Sequence, residues 1–210
     1  TATPTPPETA AEPPSASRRK HSTFLTQKLK DALIGLNFLT VEFDIAVRPG
    51  QTITAKGYDD VEFLISTNPG ESLKPLSQVA SGGELSRIML AIKTVLAGRD
   101  EIDTLIFDEI DTGISGRTAW KVAEQLSVLS GAHQVICITH LPQIAAMADV
   151  HFVIEKSSTD DMTITDIHKV SAEESLAELA RLLGSDALTE AALSNAKEMK
   201  EQAGMFKETR

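Results

Sequence analysis

Two adjacent carboxylates follow a short apolar run in the middle of the chain. The run covers residues 104–107 (Thr-Leu-Ile-Phe), and Asp108 and Glu109 come directly after it. Such a run is typical of a buried strand, and ligands of open α/β folds bind at the carboxyl edge of the strands. Neighbouring side chains of an extended chain point in different directions, so Asp108 could face a hydrated Mg²⁺ and Glu109 an attacking water. The alternative is a strand that ends in a solvated acidic loop, because further carboxylates lie at positions 100, 101, 103 and 111.

A histidine follows the next apolar run in the same way. Residues 134–139 resemble a second buried strand, and Thr139 and His140 stand at its end. A lone histidine at a strand end is often only a hydrogen-bonded structural residue. If the two strands are neighbours, however, the His140 imidazole could reach the same ligand and contact a terminal phosphate. Of the other histidines, His21 and His133 are predicted at the surface, and no pair has the spacing of a zinc site.

A serine, two glycines and a glutamate precede an amphipathic segment at Ser81, Gly82, Gly83 and Glu84. A serine followed three residues later by glutamate is a capping box, which satisfies backbone amides at the start of an ordinary helix. The paired glycines favour a second interpretation. They let backbone amides approach an anion at the helix N-terminus, where a phosphate would fit.

The loop of residues 111–116, Asp-Thr-Gly-Ile-Ser-Gly, lies between a predicted strand and a predicted helix. It can be read as a plain connection that ends in a serine cap. It can also be read as a contact loop that couples two active sites.

The elements that position these residues follow the rhythm of an α/β protein. After an N-terminal segment, residues 1–20, which is rich in proline and predicted to be a disordered linker or tail, one domain covers residues 21–210. Its strand, helix, strand order around the site predicts a mostly parallel sheet flanked by helices. Apolar periodicity predicts helices at residues 24–36, from about 84 onward, 115–129, 172–183 and 187–202, and strands at 41–47, 61–65, 104–107, 134–139, 151–155 and 162–168.

Composition narrows the classes of function. The formal net charge of -10 argues against a broad basic surface for DNA, so any DNA contact would be local or lie elsewhere. The single cysteine, Cys137, sits in an apolar run and is predicted to be a buried hydrophobe and not a reactive thiol. No stretch is long and apolar enough to span a bilayer, so we expect no membrane contact and a cytoplasmic protein.

Three segments follow one another along the chain: residues 79–87 (VASGGELSR), 104–115 (TLIFDEIDTGIS) and 139–145 (THLPQIA). In this order they resemble the C-terminal half of an ABC-type ATPase head. Their residues are most similar to those of the RecN type within the SMC-like branch. The resemblance extends over residues 24–203. It implies an α/β fold, namely the C-terminal lobe of an ABC/SMC-type P-loop ATPase head. It also implies a protein that acts in recombinational repair of DNA double-strand breaks and that associates with the nucleoid on DNA damage.

The resemblance also implies a role for each site residue. Ser81, Gly82, Gly83 and Glu84 would form the signature that touches the γ-phosphate of ATP held by a second head, and residues 111–115, beginning with Asp111, would form the D-loop at that nucleotide. Asp108 would support Mg²⁺, Glu109 would be the general base, and His140 would be the switch histidine on the γ-phosphate. The implied chemistry is phosphoanhydride hydrolysis by positioning and charge stabilisation.

One motif of the family does not occur in this sequence. A Walker A loop needs Gly-Lys before Ser or Thr, yet none of the 12 glycines is followed by lysine. In RecN-type proteins that loop precedes a coiled-coil arm, and we expect this chain to begin near the returning end of the arm. The implied partners are therefore the N-terminal Walker A lobe, a second head in a homodimer, and DNA through other parts of the complete protein.

Three alternatives stay open at the level of sequence. The chain could be a non-catalytic interaction module, inactive by itself because it lacks Walker A. It could belong to another SMC-like or ABC ATPase, although a transporter subunit usually carries Gln where Glu84 stands. It could also be a metal-dependent phosphoesterase that uses Asp108, Glu109, Asp111 and His140, but two-metal sites generally need more ligands.

Overall fold

The computed structural model describes residues 6–55, 57–79, 81–97, 101–159, 162–184 and 188–209. The chain divides into two compact units, Thr1–Leu96 and Ala97–Arg210, where the sequence predicted one domain after the linker. Within the described residues no helix is long and apolar enough to cross a membrane.

The first unit begins with a long helix, α1 (Pro6–Gly35). Leu29, Leu33 and Leu36 are fully or almost fully buried, as the predicted amphipathic helix over residues 24–36 requires. The structure differs from the prediction for residues 6–20, which are helical where a disordered linker was expected, while residues 1–5 lie outside the described residues.

Contacts from this N-terminal stretch to the sheet give a reason for the difference. The Ser15 hydroxyl donates to Oδ1 of Asp59 across 2.7 Å, and Arg18 donates to Oδ2 of the same carboxylate across 2.7 Å. Composition alone cannot foresee such tertiary partners, which stabilise a helix that its own propensity would not.

An antiparallel sheet lies against α1. Its strands are β1 (Glu42–Thr54), β2 (Gly57–Ser66) and the short β3 (Lys74–Pro75), in the order β1-β2-β3. Phe43 and Ile45 are buried and alternate with exposed residues, as in a strand with one face toward the core. This confirms the strand predicted at residues 41–47. The strands extend beyond the predicted 41–47 and 61–65 into a long hairpin, with register Glu42↔Ser66 to Pro49↔Asp59.

The second helix of this unit is α2 (Gly82–Val95), which follows a short 3-10 turn, Leu76–Gln78. Ile88, Leu90, Ala91 and Ile92 are buried. Arg87 is also buried and lies over the Phe38 ring, with its guanidinium carbon 5.6 Å from the ring centroid. The helix starts at Gly82, two residues before the predicted position.

The second unit contains the predicted parallel pair. Strands β4 (Thr104–Phe107) and β5 (Gln134–Cys137) pair in parallel from Thr104↔Gln134 to Phe107↔Cys137, and α3 (Gly116–Leu129) connects them. This strand, helix, strand unit confirms the α/β class. The expectation of a mostly parallel sheet needs correction, because the other pairings that the structure describes are antiparallel. They are β1-β2-β3 and the pair formed by residues 152–159 and 162–169.

His133, just before β5, is a further correction. It was predicted at the surface, yet only 8% of the residue is exposed. Its Nδ1 lies 2.7 Å from the carbonyl oxygen of Ile102, so the ring ties the starts of β4 and β5 together.

The rest of the second unit consists of a hairpin and three helices. They are α4 (Pro142–Ala146), β6 (Phe152–Thr159), β7 (Met162–Lys169), α5 (Ala172–Leu182) and α6 (Glu190–Glu208). Helices α4, α5 and α6 share one apolar cluster, which includes Ala145, Leu179 and Met199. The capping box of Ser171 and Glu174 starts α5. The start predicted for the last helix, residue 187, lies outside the described residues, and α6 begins at Glu190.

Candidate functional site

The acidic pair lies at the carboxyl end of β4. Asp108 follows the last strand residue directly, and both Asp108 and Glu109 are exposed. The Glu109 backbone amide donates a hydrogen bond to Oδ1 of Asp108 across 2.9 Å. This contact holds the turn while leaving the Glu109 carboxylate at the surface, where it could act on a ligand.

The backbone of Glu109 is in an unusual conformation. Its φ is 56°, in the left-handed region that L-residues other than glycine, asparagine and aspartate rarely adopt. Such conformations cost free energy and tend to occur at functional sites. This strained backbone, which the sequence does not reveal, supports the assignment of Glu109 to a functional site.

Thr139 and His140 lie just beyond the carboxyl end of β5, the second strand of the pair. The Ile138 amide donates to the Phe107 carbonyl across 3.0 Å, so β4 and β5 remain side by side up to their carboxyl ends. The prediction that the two strands are neighbours is thus confirmed, and His140 follows the strand beside the one that ends at the acidic pair. The side chain of His140 is 72% exposed.

Asp111 joins the two strand ends. Its Oδ2 accepts from the Thr139 hydroxyl across 2.6 Å and from the His140 amide across 2.8 Å, and it lies 3.0 Å from Nδ1 of His140. Its side chain is only 5% exposed. The Leu141 amide in turn donates to the Thr139 hydroxyl oxygen across 3.0 Å. Sequence reasoning placed Asp111 at the nucleotide and missed its burial and its contact with His140.

The loop after Asp111 leads into α3. Gly113 has a φ of 76° and Gly116 of 52°, conformations that explain two glycines so close together. Ser115 occupies the predicted N-cap position of α3, but its side chain makes no cap hydrogen bond. Its carbonyl instead accepts from the Thr118 amide across 3.2 Å. The Ser115 hydroxyl is therefore not needed as a cap.

The sequence Ser81 to Glu84 forms the start of α2 in the first unit. The Ser81 side chain accepts from the Glu84 amide across 3.3 Å, which is the capping contact expected of an ordinary helix. Gly82 is exposed and Gly83 is buried. The helix cap and an anion site are compatible, because Ser81 accepts only one of the amides at this N-terminus.

A small pocket of about 160 Å³ opens beside this helix start. Ser81 and Glu84 line it on one side and Lys74 of β3 on another, with Ile65, Thr67, Asn68 and Val79. Lys74 was not among the predicted site residues. Its position seven residues before Ser81 carries no motif, and the antiparallel pairing of β3 with β2 brings it there.

Cys137 is the last residue of β5, and its side chain is half-buried. Burial, together with the negative charges of Asp111 and Asp108, raises the pKa of its thiol to about 12. The thiol is therefore protonated at neutral pH, in agreement with the predicted unreactive thiol, although the side chain is less buried than the sequence predicted.

The structure thus brings Asp108, Glu109, Asp111 and His140 to one edge of the second unit, whereas Ser81 to Glu84 belong to the first unit. Among the described residues, no three His, Cys, Asp or Glu side chains are grouped so as to hold a metal ion. A cavity of about 450 Å³ in the second unit lies away from this edge, between residues 148–151 and the helices α5 and α6.

Several curated proteins similar to this chain are named DNA repair protein RecN. The chain is 49% identical to the DNA repair protein RecN of Bacillus subtilis over 157 residues, which are 75% of this chain and 27% of that protein. It is 54% identical over 143 residues to RecN of Treponema pallidum, covering 68% of this chain and 25% of the relative. This chain is a relative of the RecN proteins.

The RecN relationship agrees with the resemblance inferred from the three motif segments. A third RecN protein, from Halalkalibacterium halodurans, is 40% identical over 194 residues, which are 90% of this chain and 34% of the relative. The chain thus spans between 25% and 34% of the length of these RecN relatives. No protein-family model matches the chain.

Solved structures of similar fold are Smc head domains. One, from Pyrococcus yayanosii, has a TM-score of 0.55 at 19% identity and matches 79% of this chain and 30% of that chain. Another, from Pyrococcus furiosus, has a TM-score of 0.52 at 18% identity and matches 82% and 41%. The RecN-related chain therefore has the fold of an SMC-type head, as the predicted fold class requires.

Proposed function

We propose that this chain is the C-terminal ATPase lobe of a RecN-like protein, which acts in recombinational repair of DNA double-strand breaks. The proposal rests on one observation: Asp108, Glu109 and His140 follow the carboxyl ends of two adjacent parallel strands. RecN relatives named as DNA repair proteins support the cellular role. An ATPase that works on broken chromosomal DNA would act in the cytoplasm, at the nucleoid.

Each residue of the edge has a chemical task in this proposal. Asp108 is an exposed carboxylate, an oxygen donor of the kind that Mg²⁺ binds, and it would hold the ion together with the phosphates of ATP. Glu109 would orient the attacking water and accept its proton. His140 would contact the γ-phosphate. The chemistry that Mg²⁺ supplies is neutralisation of charge on the transferred phosphoryl group.

The signature would act on the nucleotide of a second head. Ser81, Gly82 and Gly83 offer a hydroxyl and backbone amides at a helix N-terminus, and Lys74 adds a positive charge to the pocket beside them. ATP would then bridge two heads and draw them together, and hydrolysis would release them. Head dimerisation, DNA contact through other parts of the complete protein, and the D-loop role of residues 111–115 all belong to this proposal.

The phosphate-gripping part would come from an N-terminal Walker A lobe. The relatives are roughly three to four times as long as the matched region, and no glycine here is followed by lysine. We expect the chain to be inactive alone and to hydrolyse ATP when the Walker A lobe is supplied.

A mixing experiment tests the proposal. ATP hydrolysis is measured for this chain alone and after addition of a separately produced Walker A lobe of the same protein, each with and without Mg²⁺. We expect hydrolysis only in the mixture with Mg²⁺, because the site needs parts from both lobes.

Two variants make the outcome specific. Glu109→Gln removes the base without changing the side-chain size and should abolish hydrolysis while the lobes still associate. Asp103→Asn, which alters an exposed carboxylate just before β4, is the matched control and should leave the rate unchanged. Association without hydrolysis by the wild-type mixture would instead support the non-catalytic interaction module.

Metal-dependent hydrolysis of phosphoesters by the chain alone, without ATP, would support the phosphoesterase alternative. The grouping of side chains in the described residues does not favour that alternative.

A further inference from the structure

We propose that Asp111 is a positioning residue that holds the His140 imidazole with its hydrogen on Nδ1, so that Nε2 is the nitrogen turned to the ligand. The identity of that ligand, the γ-phosphate of ATP, rests on the proposed function. The state of the imidazole does not rest on it, because Asp111, Thr139 and His140 all belong to this chain.

The geometry ties both the backbone and the ring of His140 to one oxygen. Oδ2 of Asp111 lies 2.8 Å from the His140 amide nitrogen and 3.0 Å from Nδ1 of the same residue. The Thr139 hydroxyl is the third contact, at 2.6 Å. One oxygen atom therefore contacts both the backbone amide and the ring of His140.

The chemistry of the contact decides which nitrogen carries the hydrogen. Nδ1 lies 3.0 Å from Oδ2, and an ionised carboxylate only accepts hydrogen bonds, so a bare Nδ1 would set its lone pair against that oxygen whereas a hydrogen on Nδ1 is attracted to it. The Asp111 side chain is 5% exposed while that of His140 is 72% exposed, so the carboxylate is fixed inside the protein and most of the ring is accessible. With Nδ1 facing Asp111, Nε2 is the nitrogen left for a ligand. That atom accepts a hydrogen bond when the imidazole is neutral and donates one to an anion when the imidazole is charged.

Thr139 supports the carboxylate and not the imidazole. Its hydroxyl hydrogen goes to Asp111, because its oxygen already accepts from the Leu141 amide across 3.0 Å. The Thr139 hydroxyl is thus held between the Leu141 amide and Oδ2 of Asp111. The contact between Asp111 and the His140 ring is the one that a bound ligand could change.

The same residue also connects His140 to Glu109. Asp111 follows Glu109 by two residues in a tight turn, in which the Thr112 amide donates to the Glu109 carbonyl across 3.0 Å. Ile110 between them is fully buried and anchors the turn. A displacement of the loop would therefore move the base and the histidine together.

Nuclear magnetic resonance tests the positioning role on this chain alone. With histidine labelled by ¹⁵N, long-range proton–nitrogen spectra at about pH 8, above the ordinary histidine pKa, distinguish a protonated ring nitrogen from an unprotonated one. His140→Gln assigns the signal. We expect a protonated Nδ1 and an unprotonated Nε2 for His140 in the wild-type chain. A hydrogen on Nε2 instead would overturn the proposal, and this measurement needs no variant of Asp111.

Two variants separate positioning from general stability. Asp111→Ala removes the oxygen that faces Nδ1, so we expect His140 to shift to a mixture with the Nε2-protonated form in the chain that circular dichroism shows to be folded. Thr139→Val keeps the carboxylate and should leave the tautomer unchanged, although it removes a neighbouring hydrogen bond. An unchanged tautomer in a folded Asp111→Ala chain would contradict the role of Asp111.

Activity of the mixed lobes distinguishes this proposal from the proposed function. We expect a folded Asp111→Ala chain to lower kcat about 10- to 100-fold, as loss of an orienting partner typically does, with KM changed less than about twofold. If the tautomer is as expected but the wild-type mixture hydrolyses no ATP, the proposed function fails and the positioning of His140 stands. If the mixture is active and a folded Asp111→Ala chain leaves kcat unchanged, the positioning role in hydrolysis fails.

Discussion

The Glu109 amide donates to Oδ1 of Asp108 across 2.9 Å while Glu109 itself has a φ of 56°. The hydrogen bond and the left-handed backbone belong to one turn at the end of β4, and both carboxylates of this turn are exposed. The proposed roles of Asp108 and Glu109 both depend on this turn.

Replacing Glu109 by glycine should relieve the strain of that turn. We expect Glu109→Gly to raise the free energy of unfolding by about 1 kcal/mol relative to Glu109→Ala, which keeps the strained backbone and also lacks the carboxylate. Both variants should be inactive in the mixed-lobe assay. Urea unfolding measures the difference, and equal stability of the two variants would show that the turn carries no strain.

Removing the Asp111 carboxylate should destabilise the chain. Asp111→Ala leaves the Thr139 hydroxyl and the His140 amide without their acceptor, and each unsatisfied donor costs about 1–3 kcal/mol when buried. We expect a loss of roughly 2–4 kcal/mol in the free energy of unfolding. The exposed Asp103→Ala serves as control and should change it by less than about 0.5 kcal/mol. Equal effects of the two substitutions would contradict a stabilising role of the hydrogen bonds to Asp111.

Substitutions of Ser81 can separate its capping role from its proposed phosphate contact. Aspartate is as good an N-cap as serine, but its negative charge would repel a phosphate. We therefore expect Ser81→Asp to keep the stability of the chain and to abolish ATP-dependent association of complete heads. Ser81→Ala should lose about 1 kcal/mol of stability. Light scattering with ATP measures this association. If the Ser81→Asp heads still associate, Ser81 acts only as the cap of the helix.

The contact of α1 with the hairpin should depend on pH. Hydrogen bonds from Arg18, and then from Ser15, hold the pKa of Asp59 below its ordinary value. A lowered carboxyl pKa contributes stability that is fully present above the ordinary pKa and is lost as the pH falls through the folded value. Urea midpoints of the wild-type chain should therefore fall between about pH 4 and pH 2 more steeply than those of Asp59→Asn. Parallel curves would show that the Asp59 contact contributes nothing.

Cys137 should be unreactive while the chain is folded. With its thiol pKa raised to about 12, almost no thiolate is present at pH 8, and the thiolate is the reactive form. We expect iodoacetamide to leave the folded chain unmodified and to label it fully in urea, followed by mass spectrometry. Rapid labelling of the folded chain would contradict the burial of this side chain.

Local sequence was sufficient for much of this protein. The apolar runs at 104–107 and 134–139 predicted two strands, and the polar residues after them predicted a site at their shared carboxyl edge. The serine and glutamate flanking two glycines predicted a helix start, which lies at Gly82. These features depend on neighbours within a few residues along the chain, so periodicity and capping rules can predict them.

Other features depend on residues far apart along the chain. Residues 6–20 are helical against a composition rich in proline, with Ser15 and Arg18 bonded to Asp59, more than 40 positions away. His133 is buried because its ring meets the Ile102 carbonyl, 31 positions earlier. The long antiparallel hairpin and the place of Lys74 likewise follow from strand pairing.

The site shows the same division between sequence and tertiary structure. By itself the sequence determined which side chains could do chemistry, because Asp108, Glu109 and His140 stand where predicted strands end. Only the tertiary structure decided that Asp111 turns inward to His140, 29 positions along the chain, and that Glu109 adopts a left-handed backbone. A buried carboxylate takes the donors that folding places around it, and no local pattern specifies those donors.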